Sequence, residues 1–422
     1  MRSKIFAVVL LLVLSASTAA AEFLLGVGIH MHEQDAEKNF RAFRALKVNS
    51  IRDDLNWRGV EKARGILVFP QKYKLYADRL PELAVAPLVI LNYGNDNYDG
   101  GGKPVSSQAV QAFADFAGFS AAKLSGKANH YEIWNEWDNS KEPRSAESYL
   151  ALVKSAAPPV RAANRQAVIL AGAATSAGMR SGWVEALVRQ GVLNYADGIS
   201  IHPYVHCEPD KSPEAWIAFV GAFAEKLQRA NGGKEVPLYI TEMGWPSHQG
   251  ACGSSPETVA RYAARSLLLA RTVPSIRGFW WYDLKNDGQR PEEKEHNFGL
   301  MNFDYGPKPA FAAFRDIAPL VRSGKRFSRL SAPRGVVLLA IEEASGARTF
   351  AVWTDNDRSA QLTATLNRKK GGETARLSVG SEARSELPLP AGRSRSVLAI
   401  DGTPQLLFGA DSVVVEKLQW ND

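Results

Sequence analysis

The chain has 422 residues, of which 45% are hydrophobic, 9% aromatic and 23% charged, the proportions of a folded globular protein rather than a disordered or fibrous one. A mean hydropathy of −0.20, with no apolar run past residue 20 near the ~20 residues of a membrane helix, excludes a multi-pass membrane protein. The net charge of +7 is too mild to point to nucleic acid, and two cysteines exclude a disulfide-dense scaffold or a Cys-rich zinc module.

The first 21 residues read as a cleaved secretory signal. Arg2 and Lys4 form a basic start, residues 5–14 an apolar core, and Ala19-Ala20-Ala21 a small-residue cleavage site. An uncleaved anchor helix is the alternative. Export implies a periplasmic or secreted chain with no stable membrane span once the signal is removed, and an oxidising setting for Cys207 and Cys252.

Past the signal, eight short β-rich runs alternate with helical patterns. Strands are predicted at 23–29, 48–52, 86–91, 130–134, 167–171, 198–202, 238–241 and 277–282. Helices are predicted between them at 36–46, 107–124, 147–163, 214–230 and 256–271. Strand–helix alternation implies parallel pairing, and eight units over residues 22–320 imply a (β/α)8 TIM barrel, an α/β fold. An open nucleotide-binding sheet would need a third glycine after Gly26-Val27-Gly28, where Ile29-His30-Met31 stands instead. From 321 to 422 short alternating runs at 336–341, 349–353, 361–366, 396–400 and 413–416 predict a small antiparallel β-sandwich. Most of the positive excess lies in the signal and this tail, leaving the barrel close to neutral.

A barrel of this kind builds its site where the strands end. Those ends deliver His30-Met31-His32, Arg52-Asp53-Asp54, Trp134-Asn135-Glu136-Trp137, His202-Pro203-Tyr204, Thr241-Glu242-Met243-Gly244-Trp245-Pro246 and Trp280-Trp281-Tyr282-Asp283. Glu136 and Glu242 close strands four and seven, across the mouth from one another. Two carboxylates on a shared cleft are the minimum equipment for glycosidic bond hydrolysis, one protonating the leaving oxygen and the other ionised. Trp134, Trp137, Trp245 and Trp281 are expected to offer flat faces to sugar rings.

With these residues in place the chain resembles the retaining glycoside hydrolases of clan A, where the acid/base follows Asn on strand four and the nucleophile ends strand seven. The runs Glu295-His296-Asn297-Phe298-Gly299-Leu300 and Pro307-Lys308-Pro309-Ala310 are similar to the end of family 39-like barrels, and barrel plus sandwich resembles biofilm-matrix exopolysaccharide glycosidases. The resemblance implies Glu136 as acid/base and Glu242 as nucleophile of a double displacement. Asn135 would bind the sugar 2-hydroxyl, Tyr204 would orient Glu242, His202 would line the same wall, and Arg52 would lie beneath the nucleophile. His30, Trp245, Trp281 and Tyr282 complete the expected substrate contacts, with the eighth-strand aromatic left open. The expected substrate is a polysaccharide or oligosaccharide, expected to be cut by endo action by a monomer without cofactor or metal.

Two rival readings stand beside this one. His30 and His32, two apart on one strand, mimic the His-x-His of metal-dependent barrel hydrolases, with His202 and Asp283 as further ligands. A non-catalytic polysaccharide-binding or export scaffold would keep the barrel without turnover. Cys207 and Cys252 follow adjacent strands on the catalytic face, which predicts a disulfide. The loop 94–103, with Asp96 and Asp99, reads as solvated rather than calcium-binding.

Overall fold

The computed structural model describes residues 22–421 except 140–141, 143, 369–373, 382–383 and 388–391, so the predicted signal lies outside the described residues. Eight parallel strands close a barrel in sequence order: β1 (Leu24–Gly28), β2 (Ser50–Asn56), β3 (Ala86–Asn92), β4 (His130–Ile133), β5 (Val168–Thr175), β6 (Gly198–His202), β7 (Leu238–Met243) and β8 (Ile276–Trp281). All eight predicted strands are present, and β8 pairs with β1 from Leu24↔Gly278 to Val27↔Trp281 to close the ring.

The crossover helices start where side chains can satisfy their first backbone N–H groups. Ser106, Ser145, Ser212 and Ser255 each accept a hydrogen bond from the N–H three residues on. Pro213, Pro256 and Pro309 stand in the first turn, where a missing N–H costs nothing. Helices Ser107–Leu124 and Ala146–Ala163 approach so closely that a Cβ on Gly118 would lie 2.9 Å from Pro159 Cβ, so only glycine fits there.

Alternation along the last strand separates its aromatics. Trp280 turns into the barrel, packs with Leu88, Leu170 and Tyr239, and donates to Ser50 Oγ at 3.0 Å. Trp281 turns outward to Trp245, and only Tyr282 reaches the mouth.

The chain leaves the barrel by helix Pro309–Ser323, then forms β9 (Arg326–Arg329), β10 (Val336–Glu342), β11 (Arg348–Thr354), β12 (Ala360–Arg368), β13 (Thr374–Ser378), β14 (Arg384–Leu387), β15 (Gly392–Ile400), β16 (Gln405–Phe408) and β17 (Ser412–Trp420). A six-stranded sheet, β14-β13-β16-β11-β10-β9, faces a three-stranded one, β15-β12-β17, over a core that includes Leu338, Phe350, Leu362 and Leu398. The other face of the larger sheet joins the barrel core through Val337, Leu339, Trp353 and Leu406. Fully buried Arg265 ties the two bodies, binding Glu214 on one side and Asp357 (2.6 Å) and the Asp355 carbonyl (3.0 Å) on the other. Among the described residues no helix is long and apolar enough to cross a membrane.

Candidate active site

A cleft of about 440 Å³ opens at the C-terminal ends of the strands, lined among others by His30, Arg52, Asn135, Glu136, His202, Tyr204, Glu242 and Tyr282. Local backbone explains how two neighbours at one strand end reach it. After β4, Trp134 and Glu136 take left-handed conformations, φ 65° and 50°, at roughly 1–3 kcal/mol each, so that Asn135 and Glu136 both face the cleft. On β7 the pairing with β8 slips between Ile240 and Met243, and consecutive Thr241 and Glu242 both serve the site.

Arg52 organises the floor. It is 3% exposed and donates to Glu132 Oε2 at 2.8 Å, to Glu242 Oε1 at 2.5 Å and to Asn135 Oδ1 at 2.8 Å. Burial works against its charge, but Glu132 and Glu242 outweigh burial and hold it protonated. Tyr204 donates to the other oxygen of Glu242 at 3.1 Å. Asn135 is engaged at both ends, accepting from Arg52 and donating to Tyr93 Oη at 2.9 Å.

His202 joins the two carboxylates. Its Nδ1 stands 2.9 Å from Glu136 Oε1 and 3.6 Å from Glu242 Oε2, and its Nε2 stands 3.1 Å from Thr241 Oγ1. The Thr241 hydroxyl donates to Glu132 Oε1 at 2.8 Å, leaving its oxygen to accept from His202. The Arg52 guanidinium also stands 3.3 Å from Nε2, so this nitrogen faces both a donor and the Thr241 hydroxyl. Burial lowers its pKa, but Glu242 and Glu136 overrule burial and raise it above the ordinary 6.5. Glu136 moves the other way: burial raises its pKa, yet the His202 hydrogen bond and charge, with Asn139 and Arg52, hold it below the ordinary carboxylate value. Glu136 and His202 share this hydrogen bond and shift in opposite directions, so they titrate as a pair. One oxygen each of Glu136 and Glu242 lies with the His202 nitrogen in a group spanning no more than 4.8 Å.

Several expectations need correction. Trp245 and Trp281 are fully buried and offer no face to the cleft: Trp245 packs on Trp216, Tyr262 and Trp281 and donates to the Lys211 carbonyl at 2.8 Å. Trp134 and Trp137 are buried as well, leaving Tyr93, Tyr204, Tyr282 and Phe298 as the aromatic lining. The paired His30 and His32 do not converge: His32 is exposed beside Glu33, while His30 Nε2 faces Asp287 and Asp283. Burial lowers the His30 pKa, but those carboxylates with Asp53 push it up to about 10.

Cys207 and Cys252 are joined, their Cα atoms 4.8 Å apart, and link the loops after β6 and β7. In the loop 94–103, Asp99 caps the N–H groups of Val105 and Ser106 and Asp96 pairs with Arg58, structural duties rather than a calcium shell. Glu132 and Tyr93 escaped the sequence reading, and Thr241 was named at its strand end without a role. The signal for Glu132 was present: two positions after His130 on one strand, it is a carboxylate at an inward position.

No family model matches the chain. A structure of a family 39 glycoside hydrolase from Bacteroides cellulosilyticus superposes with a TM-score of 0.78 at 25% identity, covering 91% of this chain and 80% of that one. The chain is similar in fold to the family 39 glycoside hydrolases of clan A. A family 39 enzyme from Xanthomonas axonopodis (TM-score 0.62, 15% identity, 94% of each chain) and a monomeric β-xylosidase from Caulobacter crescentus (0.62, 14%, 91% and 95%) share the fold. In sequence, a Hordeum vulgare protein described as a candidate glucan endo-1,3-β-glucosidase is 31% identical over 91 residues, 21% of this chain and 28% of that protein's length.

Proposed function

We propose that the protein is a retaining glycoside hydrolase that cuts within an extracellular or periplasmic polysaccharide, acting as a monomer. The observation that carries this reading is the pair Glu136 and Glu242, oxygens within 4.8 Å, on one cleft. That spacing suits the short separation of retaining enzymes, about 5–5.5 Å between carboxyl groups, and is well under the 6.5–9.5 Å of inverting ones.

Glu242 is the nucleophile. Arg52 and Tyr204 hold its two oxygens and aim it at the anomeric carbon. As Glu242 attacks, Glu136 gives the leaving oxygen a proton supplied by its pair with His202, and a glycosyl-enzyme forms. Glu136, again a carboxylate, then takes a proton from water, which attacks the anomeric carbon and frees Glu242. Two inversions give net retention. Asn135 and Tyr93 stand beside the reacting ring, where a hydrogen bond to a sugar hydroxyl can strengthen in the transition state. Tyr282 and Phe298 supply apolar faces in place of the buried tryptophans.

The test is a panel of exopolysaccharides and plant glycans assayed for reducing ends, with NMR of the first product formed. A ladder of oligosaccharides born with the substrate's anomeric configuration is expected. A single monosaccharide would replace endo with exo action, an inverted product would remove the double displacement, and sugar binding without any cleavage would leave a scaffold.

A further inference from the structure

Where β1 meets β8, one strand on from Glu242, three ligand-type side chains converge without a duty in the reaction above. His30 Nε2 stands 3.4 Å from Asp287 Oδ1 and 3.9 Å from Asp283 Oδ2, and one donor atom from each residue falls within 4.8 Å of the others. Asp283 is 1% exposed, and among the described residues neither of its oxygens has a hydrogen-bond partner. Buried carboxylates are paired, hydrogen-bonded, bound to metal or neutralised by a proton, and burial beside Asp287 pushes the Asp283 carboxyl well above its ordinary range. Two ammonium groups attract Asp283 without reaching it: Lys285 donates to the Asn286 carbonyl, and Lys308 to Ser247, to the Asn286 side chain and to the Asn297 carbonyl. Asp53, whose charge His30 also feels, keeps one buried oxygen, Oδ1, without a partner.

We propose that His30, Asp283 and Asp287 form a binding site for one divalent transition cation of the Mn²⁺ or Zn²⁺ kind, at the seam that closes the barrel. The spacing fits: donors about 2.0–2.2 Å from a common ion stand roughly 3–3.5 Å apart, so a small contraction brings the three into coordination. The donor set fits as well, because one imidazole with two carboxylates suits Mn²⁺ or Zn²⁺, while Ca²⁺ and Mg²⁺ prefer oxygen alone. Two carboxylates match the charge of the ion. Tyr282 Oη donates to Asp287 Oδ2 at 3.3 Å and leaves Oδ1 turned to the site, the second contact that orients a ligating carboxylate. The other converging group, Glu136, His202 and Glu242, is already held by Arg52, Tyr204 and Thr241, which leaves it a weaker competitor. The ion joins the residue after Ile29 to the segment after β8, and so clips the first strand to the last. None of this invokes turnover, so it stands or falls apart from the hydrolase reading.

Mn²⁺ alone is titrated into the purified, chelator-stripped protein while free Mn²⁺ is read by electron paramagnetic resonance. One Mn²⁺ per chain is expected, displaced by Zn²⁺ and retained in the double variant Glu136→Gln/Glu242→Gln. Asp287→Asn, at a partly exposed position that tolerates change, and Asp283→Asn are each expected to weaken it at least about tenfold. No stoichiometric binding at millimolar Mn²⁺ and Zn²⁺ overturns the site, leaving His30 as the pair's own cation. Binding that survives Asp287→Asn but vanishes in the double variant moves the ion to the other group and overturns it equally.

Discussion

Glu132, Glu136 and Glu242 each have a partner at both oxygens, drawn from Arg52, Thr241, His202, Asn139 and Tyr204, whereas Asp53 and Asp283, on either side of His30, keep buried oxygens with none. Glu136 and Glu242 are partly exposed, but Glu132 is as deeply buried as Asp53 and Asp283 and still has both partners, so depth alone does not explain the difference. The first set is complete in itself, and its dipoles and charges already stand where a reaction would develop charge. The second set is complete only with something added.

The largest effect expected is on the complete set. Glu242→Gln keeps the shape and removes the nucleophile, so kcat should fall by roughly 10⁴-fold or more while thermal unfolding stays near that of the native chain. Activity within tenfold of native would end the assignment of Glu242.

Stability should then separate the two sets. Arg52→Met leaves Glu132 and Glu242 buried without their cation, and breaking a buried pair this way costs about 3–5 kcal/mol, readable in urea unfolding. Asp283→Asn removes a carboxylate that has no hydrogen bond and only a long ion pair to His30, so in chelator-treated protein it should cost less than about 1 kcal/mol. Equal losses in the two variants would erase the distinction. The disulfide is a yardstick on the same rim: opening Cys207–Cys252, 45 residues apart in sequence, should cost on the order of 4 kcal/mol in the chain-entropy model, measured with both cysteines replaced by serine.

The proton shared by His202 and Glu136 gives the next effect. Because the His202 pKa is raised, the proton is held below that value and lost as pH climbs through it, so kcat/KM should decline on a limb lying above 6.5. His202→Asn removes the partner that lowers Glu136, and burial then raises the carboxyl, which titrates on its own. The declining limb should move to lower pH. A limb that does not move would confine His202 to a packing role.

Much of this was legible beforehand, and the exceptions share a cause. The eight strands were readable because barrel strands buried on both faces give continuous apolar runs, and helix Ser107–Leu124 was bounded by a capping serine. Glu136 and Glu242 were readable because strand ends are where such a fold does its work. Direction was not readable: a count of tryptophans near the strand ends does not say which way an indole turns, and Trp245 and Trp281 turn to the helices. Glu132 was passed over because a mid-strand polar residue reads as solvent-facing until the strand is known to line a barrel, and Thr241, though named at its strand end, was given no role. The short β9, β13, β14 and β16 escaped because four or five residues are too few to show alternation.

That failure of direction sets the smallest and most discriminating prediction. Tyr93 and Trp245 are both aromatic residues just past a strand, yet Tyr93 is 41% exposed at the cleft and Trp245 is fully buried. The Tyr93 hydroxyl accepts from Asn135, whose other end Arg52 holds, so Tyr93→Phe frees one hydrogen bond on the residue beside Glu136. A bond of that kind contributes about 0.5–1.5 kcal/mol, which is roughly a three- to tenfold loss in kcat/KM with little change in unfolding. Trp245→Phe should do the reverse, lowering stability through a core void and a lost bond to the Lys211 carbonyl while leaving KM unchanged. Were Trp245→Phe to raise KM at constant stability, the indole would have to reach the sugar, and the aromatic lining would have to be redrawn around it.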